Sequence, residues 1–180
     1  MAEISIIIPC YNHGQYLLEA IESVEQLKAD RTAEIIIVND GSTDKHTIEV
    51  LARLEADHWK IITQKNQGLA QARNNGIRSS ASPYVLPLDC DNIIIQSFVM
   101  DSIKVLNSNS SIDIVYSDCS HFGDKKFYKN VGEFDPCRLI NDNYIDACAV
   151  YRREVWEELK GYDKNIPTWA RKTGNFGSEH

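Results

Sequence analysis

Short apolar runs alternate with segments of helical spacing through the first half of the chain. The strand-like runs are Ile4–Ile8, Glu34–Val38, Trp59–Thr63 and Pro83–Leu88, the first of them closed by Pro9. Between them, apolar residues recur at helical spacing over 16–27, 48–54 and 69–77. We expect Ser42 or Thr43 to cap the second of these helices. Strands that are apolar on both faces and alternate with helices predict an α/β fold with a mostly parallel sheet.

The second half of the chain is less regular. It predicts a helix around 98–106, strands at 112–116 and 145–151, and a short helix over 153–160 that Gly161 stops. Residues 120–143 are rich in charge, and we expect them to be irregular. The apolar pattern ends after Pro167, so we predict one domain over 1–167 followed by a disordered tail over 168–180.

The composition is that of a globular protein, with 43% hydrophobic and 25% charged residues among 180. A formal net charge of −7 argues against a nucleic-acid surface, because phosphate binding requires clustered Lys and Arg. No apolar run approaches the ~20 residues of a membrane-spanning helix, and the N-terminus lacks the basic region of a signal peptide. The five cysteines are scattered without a CxxC pair, as in a reduced, cytoplasmic protein.

Acidic residues follow two of the apolar runs. Ligands bind outside the carboxyl ends of the strands in open parallel sheets, and here those ends carry PCYN (9–12), DGS (40–42) and DCD (89–91). Asp89 and Asp91 lie two residues apart, and on an extended turn both would face one ion. Carboxylate oxygens select Mg²⁺ or Mn²⁺, and Mg²⁺ typically adds substrate phosphates to one or two carboxylates. The pair therefore indicates a diphosphate site that acts through a metal.

Simpler interpretations of the same residues stay open at this point. Asp40 before Gly41 is also what a plain turn requires. Asp89 and Asp91 also suit an Asx-turn and a helix cap, and Arg73 on a predicted helix suits a solvated surface cation.

Five segments, taken in order and spacing, resemble the family 2 glycosyltransferases. They are SIIIPCYNHGQYLLEAIESV, IIIVNDGSTD, NQGLAQARNNGI, PLDCDN and NYIDACAVYRREVWEELKGYD. The resemblance covers roughly residues 3 to 167. It implies the GT-A fold, a Rossmann-like three-layer α/β/α sandwich, with a nucleotide-binding half over 1–92 and the start of an acceptor half over 93–167.

The resemblance also implies roles for individual residues. Pro9, Tyr11 and Asn12 would line the base and ribose pocket, and Asp40 would accept a hydrogen bond from the base edge. Asn66, Gly68 and Arg73 match a segment that closes over the nucleotide and sugar, with Arg73 meeting a phosphate or the Asp pair. Asp89 and Asp91 match the family's DxD element, Asp89 directed toward the ribose or sugar and Asp91 toward Mn²⁺ or Mg²⁺.

The implied reaction is an inverting, metal-dependent transfer from a nucleotide-diphospho-sugar, UDP-sugars being favoured, to an acceptor hydroxyl. The acceptor would be a saccharide or lipid-linked group in cell-surface polysaccharide synthesis. We expect a cytoplasmic protein, peripheral to the inner face of the membrane. The bacterial relatives' role in surface polysaccharide is the reason for that expectation.

Two departures from the family pattern affect the site. Asn92 stands where many relatives have a further Asp. Relatives also place a Glu-Asp pair, which contains the catalytic base, shortly after the GYD-like segment. Here NIPTWARKTGNFGSEH follows, with no acid before Glu179, and neither Asp163 nor Glu179 is a good candidate for the base. We expect a chain that lacks the C-terminal part of its relatives.

Three alternatives follow from these observations. The missing pair favours a relative that holds a nucleotide sugar without turnover. A phospho-acceptor receiver domain also clusters Asp residues at strand ends, but it needs a Lys at a later strand end, where this chain has Tyr116-Ser117-Asp118. A nucleotidylyltransferase needs a Gly- and Lys/Arg-rich loop after the first strand, where PCYNHG stands.

Overall fold

A six-stranded sheet forms the centre of the computed structural model, which describes residues 2–123 and 126–165. The sheet strands are β1 (Ile4–Cys10), β2 (Ala33–Asn39), β3 (Lys60–Thr63), β4 (Tyr84–Pro87), β5 (Ile114–Val115) and β8 (Val150–Arg152). A separate pair is formed by β6 (Cys119–His121) and β7 (Phe127–Lys129). The helices are α1 (Gly14–Ala29), α2 (Lys45–Ala56), α3 (Leu69–Arg78), α4 (Gln96–Ser108), α5 (Pro136–Asn141) and α6 (Arg153–Glu158).

The sheet is mostly parallel, as the sequence predicts. Its order is β3-β2-β1-β4-β8-β5, and the first four strands run in the same direction. Only β8 runs against its neighbours β4 and β5. The two predicted halves therefore share one sheet, in which the short strands β8 and β5 extend the parallel part. The carboxyl ends of β1, β2 and β4 meet at one edge, since parallel neighbours end on the same side.

Helices cover both faces of the sheet and give three layers. Alternate residues of β1 face opposite sides, so Ile4, Ile6 and Ile8 pack with α1, α2 and α4 while Ile7 packs with α3. Gly76 lets α3 approach the sheet closely, because a Cβ there would lie 2.3 Å from Ile7 Cγ2. This close contact holds the C-terminal half of α3 against β1 and β2.

Three local expectations are wrong. Asp44, rather than Ser42 or Thr43, caps α2, accepting from the Thr47 backbone N–H at 2.8 Å. The loop before Asp44 is instead held by contacts with the end of β1, so the helix starts later. Residues 120–143 contain the β6–β7 hairpin and α5, although their apolar side chains are mostly exposed. The predicted strand over 145–151 shortens to β8, because only this part reaches β4 and β5.

The end of α6 agrees with the prediction from Gly161. The helix ends at Glu158, and Gly161 has a left-handed φ of +86° and donates its N–H to the Trp156 carbonyl. The predicted tail over 168–180, including Glu179, lies outside the described residues. Within 2–123 and 126–165, no helix is long and apolar enough to cross a membrane.

Candidate donor-binding site

Asp40 follows β2, and its carboxylate accepts hydrogen bonds that hold the loop between β3 and α3. It is 3% exposed, and its Oδ1 accepts hydrogen bonds from Gln64 Nε2 at 2.7 Å and the Gln67 N–H at 2.8 Å. Its Oδ2 accepts from the Gly68 N–H at 2.8 Å. A carboxylate has about four lone-pair positions, so one position on Oδ2 stays free to accept a further N–H. The predicted contact of Asp40 with a base edge stays a prediction.

Gly41 allows this loop to lie against the end of β2. Its φ is +73°, and a Cβ there would lie 2.7 Å from the Asn66 backbone nitrogen. Gly68 also has a positive φ and opens α3 without a Cβ conflict. The structure thus brings both Asn66 and Gly68 to the predicted site. Asn66 is exposed, and the Gly68 N–H donates a hydrogen bond to Asp40.

Asn12 joins the loop after β1 to the loop after β2. Its Oδ1 accepts from the backbone N–H groups of Thr43 at 2.7 Å and Asp44 at 2.9 Å, while its own N–H donates to Ser42 Oγ. Its φ of +56° is in the left-handed region that Asn tolerates better than most residues. Asn12 therefore fixes the shape of the loop after β2, and its predicted place in a ribose pocket stays a prediction.

Pro9 and Tyr11 occupy different surroundings on either side of Cys10. Pro9 is buried inside β1, in register with Val38. The expectation that the strand ends at this proline is therefore wrong, since β1 continues to Cys10. Tyr11 is 46% exposed and projects at the carboxyl edge. Of the two, only Tyr11 presents an accessible ring at the candidate site.

Asp89 and Arg73 form the charged pair at the end of β4. Arg73 Nη2 donates to Asp89 Oδ1 at 2.5 Å, and Arg73 is 8% exposed. Burial lowers the pKa of the guanidinium, but Asp89 and Tyr162 outweigh burial and raise it, so Arg73 stays charged. Arg73 Nε is buried and has no hydrogen-bond partner among the described residues. Arg73 is therefore a fixed buried cation in the site rather than a solvated surface residue.

Asp91 is exposed and takes no part in this ion pair. The predicted extended turn is wrong, because the Asn92 N–H donates to the Asp89 carbonyl at 2.9 Å and closes the turn. Asp89 consequently faces Arg73. Among the described residues, no hydrogen-bond donor contacts the Asp91 carboxylate. Within 2–123 and 126–165, no group of three His, Cys, Asp or Glu side chains could hold a metal. Asp91 fits a divalent ion that takes its other ligands from a diphosphate and water.

The cysteines around this edge are packing groups. Cys10 and Cys90 are buried at the ends of β1 and β4, and hydrogen bonding to Cys10 together with burial raises the pKa of Cys90. Burial raises the pKa of Cys148 to about 12. Asn92 Nδ2 donates to Cys148 Sγ at 3.2 Å, so the residue that departs from the family pattern links the turn after β4 to the segment before β8.

Sequence reasoning assigned no role to three polar groups that build the site. Gln64 binds Asp40, while Asn74 and Tyr162 flank Arg73. A signal for Asn74 is present in the sequence, since it is a polar residue among apolar positions of a short amphipathic helix and directly follows Arg73. The local sequence does not indicate the contact of Tyr162 with Asn74, because Asn74 lies 88 residues away in the chain.

The family model "Glycosyl transferase family 2" matches residues 5–160 of the chain. An uncharacterized glycosyltransferase of Rickettsia felis is 34% identical over 166 residues, which are 91% of this chain and 27% of that protein. A poly-beta-1,6-N-acetyl-D-glucosamine synthase of Staphylococcus aureus is 36% identical over 95 residues, covering 52% of this chain and 23% of that protein. The chain spans about a quarter of the length of these relatives.

Solved structures share the fold at lower identity. S. aureus TarS 1–349 in complex with UDP-GlcNAc superposes with a TM-score of 0.67 at 20% identity, over 90% of this chain and 48% of TarS. The mannosyltransferase PcManGT of Pyrobaculum calidifontis, in complex with GDP-Man and Mn²⁺, gives a TM-score of 0.66 at 17% identity, over 91% of this chain and 48% of its own. The expected GT-A fold is confirmed.

Proposed function

Because the chain belongs to the family 2 glycosyltransferases, we propose that it transfers a sugar from a nucleotide-diphospho-sugar to an acceptor hydroxyl. A UDP-sugar is the favoured donor, in line with the UDP-GlcNAc complex of TarS. The observation that carries the proposal is the pair of buried Arg73 and partly buried Asp89, with the exposed Asp91 at the same carboxyl edge of the sheet. The same edge is where open parallel sheets bind ligands.

The nucleoside would lie over the ends of β1 and β2. Asp40 offers its remaining Oδ2 lone pair to a base N–H, and Tyr11 offers its exposed ring for stacking. Pro9 and Asn12 shape the wall behind the nucleoside, and Asn66 and Gly68 close over it from the loop that Asp40 holds. A base N–H bound by a buried carboxylate would give the site its preference among nucleotides.

Asp91 would hold Mn²⁺ or Mg²⁺ together with the diphosphate, and Asp89 would face the ribose or sugar. The ion, when bound, would neutralise charge on the leaving diphosphate. Arg73 supplies a second fixed cation, which is desolvated and therefore acts more strongly than a surface cation. Its buried Nε–H is a donor that no group in residues 2–123 and 126–165 uses.

Transfer would invert the anomeric configuration, with the acceptor hydroxyl attacking in line as a base takes its proton. We assign no catalytic base. Asp163 is exposed and accepts the Asn165 N–H, and the region of Glu179 lies outside the described residues. The acceptor class we favour is a saccharide or lipid-linked saccharide, in line with the name of the S. aureus polysaccharide synthase. A binding-only relative is the alternative, favoured by the missing Glu-Asp pair.

UDP binding measured by calorimetry, with Mn²⁺ and with EDTA, tests the donor site. We expect metal-dependent binding in the wild type and at least a tenfold loss in Asp91→Ala. Asp30→Ala is the matched control, because Asp30 is exposed beyond α1 at the opposite edge of the sheet. Its affinity for UDP should be unchanged.

A second measurement separates turnover from binding. UDP release from UDP-sugars, followed with Mn²⁺ and saccharide acceptors, is expected for a transferase. Tight, Mn²⁺-dependent UDP binding without release would favour the binding-only alternative. A folded wild type that binds none of UDP, GDP and dTDP would contradict the proposal.

A further inference from the structure

Asn74 is a buried amide on α3, and the hydrogen bonds of its side chain go to α6 and to the turn after it. It is 3% exposed, and its Nδ2 donates to the Tyr162 carbonyl at 2.8 Å. Its Oδ1 accepts from the Tyr162 N–H at 2.8 Å and from Trp156 Nε1 at 2.9 Å. One side chain thus binds both backbone groups of Tyr162, as a neighbouring strand would.

The turn at Gly161 is shaped to fit this amide. A Cβ on Gly161 would lie 2.6 Å from Asn74 Oδ1 and 3.1 Å from Trp156 Nε1, and the φ of +86° also disfavours any other residue. The positive φ and the close approach both serve the Asn74 contact. The GYD turn is therefore built around Asn74.

Tyr162, held in this way, packs beside Arg73. The guanidinium carbon of Arg73 lies 5.6 Å from the centre of the Tyr162 ring, within cation–π range. The Tyr162 hydroxyl is 3.1 Å from that of Tyr151 on β8, which fixes the far end of the ring. Arg73 is consequently confined between the Tyr162 ring and the Asp89 carboxylate.

We propose that Asn74 is a positioning residue for the donor site, which acts through Tyr162 to fix the Arg73 guanidinium and, through Arg73, the Asp89 carboxylate. Its effect on donor binding rests on the proposed function, whereas its effect on Arg73 does not. Asn suits the position because it donates and accepts at once, which Asp, Leu and Ala do not. Groups that fix a binding side chain from behind typically change affinity at least tenfold when removed.

Nucleotide affinity gives the first test. We expect Asn74→Ala to raise the Kd for UDP with Mn²⁺ about tenfold. Val24→Ala, in the core under α1, is the control for a general loss of stability, and it should leave the Kd unchanged at a similar fall in Tm. In the Arg73→Lys background, Asn74→Ala should change the Kd less than about twofold, because the residue through which it acts is gone. Additive effects would overturn the proposal.

An NMR measurement without ligand gives the second test. The buried Nε–H of Arg73 should give a slowly exchanging signal, assigned by its loss in Arg73→Lys. We expect this signal to be lost in Asn74→Ala and kept in Val24→Ala. Tyr162→Leu leaves Asn74 intact and should also lose the signal, which keeps the test open if Asn74→Ala does not fold.

The two tests separate the two proposals. A signal that persists in both Asn74→Ala and Tyr162→Leu would overturn the positioning role. A signal lost in those variants, in a wild type that binds no nucleotide, would support the positioning of Arg73 and contradict the proposed function.

Discussion

The parallel strands of residues 4–87 and the later strands of residues 114–152 share one sheet but differ in burial. All seven residues of β1 are buried, and β2 is buried at five of its seven positions. β5 has two residues, neither of them buried, and β8 has three, of which two are buried. The carboxyl edge therefore lies at the ends of β1, β2 and β4, which are mostly buried. The later region adds only the short strands β5 and β8, of which β8 packs into the same core.

The later region is held mainly by polar side chains. Asp118, after β5, accepts from the Tyr128 hydroxyl at 2.5 Å, from Asn130 Nδ2 and from the Val131 N–H at 2.7 Å. Several large apolar side chains of this region are exposed, whereas Tyr144 and Val150 are buried. The exposed ones are Phe122, Phe127, Tyr128, Phe134 and Ile140. The comparison teaches that the edge proposed for nucleotide binding, which needs fixed geometry, belongs to the part of the sheet with the longest buried strands.

Core truncation should show the largest contrast between the two regions. Ile7→Ala removes a fully buried side chain under α3 and should lower the free energy of unfolding by about 2–5 kcal/mol. Ile140→Ala removes a side chain that is 84% exposed and should change the free energy of unfolding by less than about 0.5 kcal/mol. Urea unfolding measures both, and equal losses would contradict the difference in packing.

Asp40→Asn should give the next largest effect. The amide keeps the shape of the side chain but loses the charge and places an NH₂ group against N–H donors of the loop. We expect about 2–3 kcal/mol of lost stability, since hydrogen bonds to charged groups are the stronger ones. Thermal unfolding with and without UDP would show it, together with weaker UDP binding. Asp30→Asn, at the opposite edge, should change neither quantity.

Two glycines with positive φ separate backbone strain from packing. Gly41→Ala combines a φ of +73° with a Cβ 2.7 Å from the Asn66 nitrogen, and should cost about 2–3 kcal/mol. Gly123→Ala, in the later region, has a φ of +88° but no atom within 4 Å, and should cost about 1 kcal/mol. Urea midpoints compare them, and an equal cost would mean that the close approach at Gly41 relaxes freely.

Acid should loosen the later region at Asp118. Hydrogen bonds from Tyr128 and Val131 hold the pKa of Asp118 below its ordinary value. A carboxyl group whose pKa is lower when folded contributes stability above its unfolded value of about 3.9, and loses it as pH falls through the folded value. The protection of the Val131 amide from hydrogen exchange should fall over this range. Asp118→Asn should abolish the pH dependence of that protection, and an unchanged profile would contradict the assignment.

Much of the fold follows from local sequence pattern. Short-range patterns of burial, spacing and backbone freedom predict the isoleucine strands β1 and β2. They also predict the helices that begin at or after a glycine and the end of α6 before Gly161. The errors occur where a distant contact decides. Asn12 accepts hydrogen bonds from the Thr43 and Asp44 N–H groups, so α2 begins only after Asp44. β8 is limited to the residues that pair with β4 and β5.

The candidate site divides in the same way. The positions of Asp40, Asp89 and Asp91 at the ends of apolar runs indicated the binding edge, because strand direction alone brings such ends together. The sequence by itself therefore determined the sheet, its edge and the acidic residues there. Only the tertiary structure decided that Asp89 pairs with Arg73, that Asp40 holds the loop of Gln64–Gly68, and that Asn74 fixes Tyr162. The physical reason is that hydrogen bonds and charge pairs depend on distances between atoms far apart in the chain. Burial of one face of a helix or strand, in contrast, requires apolar residues at regular short intervals in the sequence.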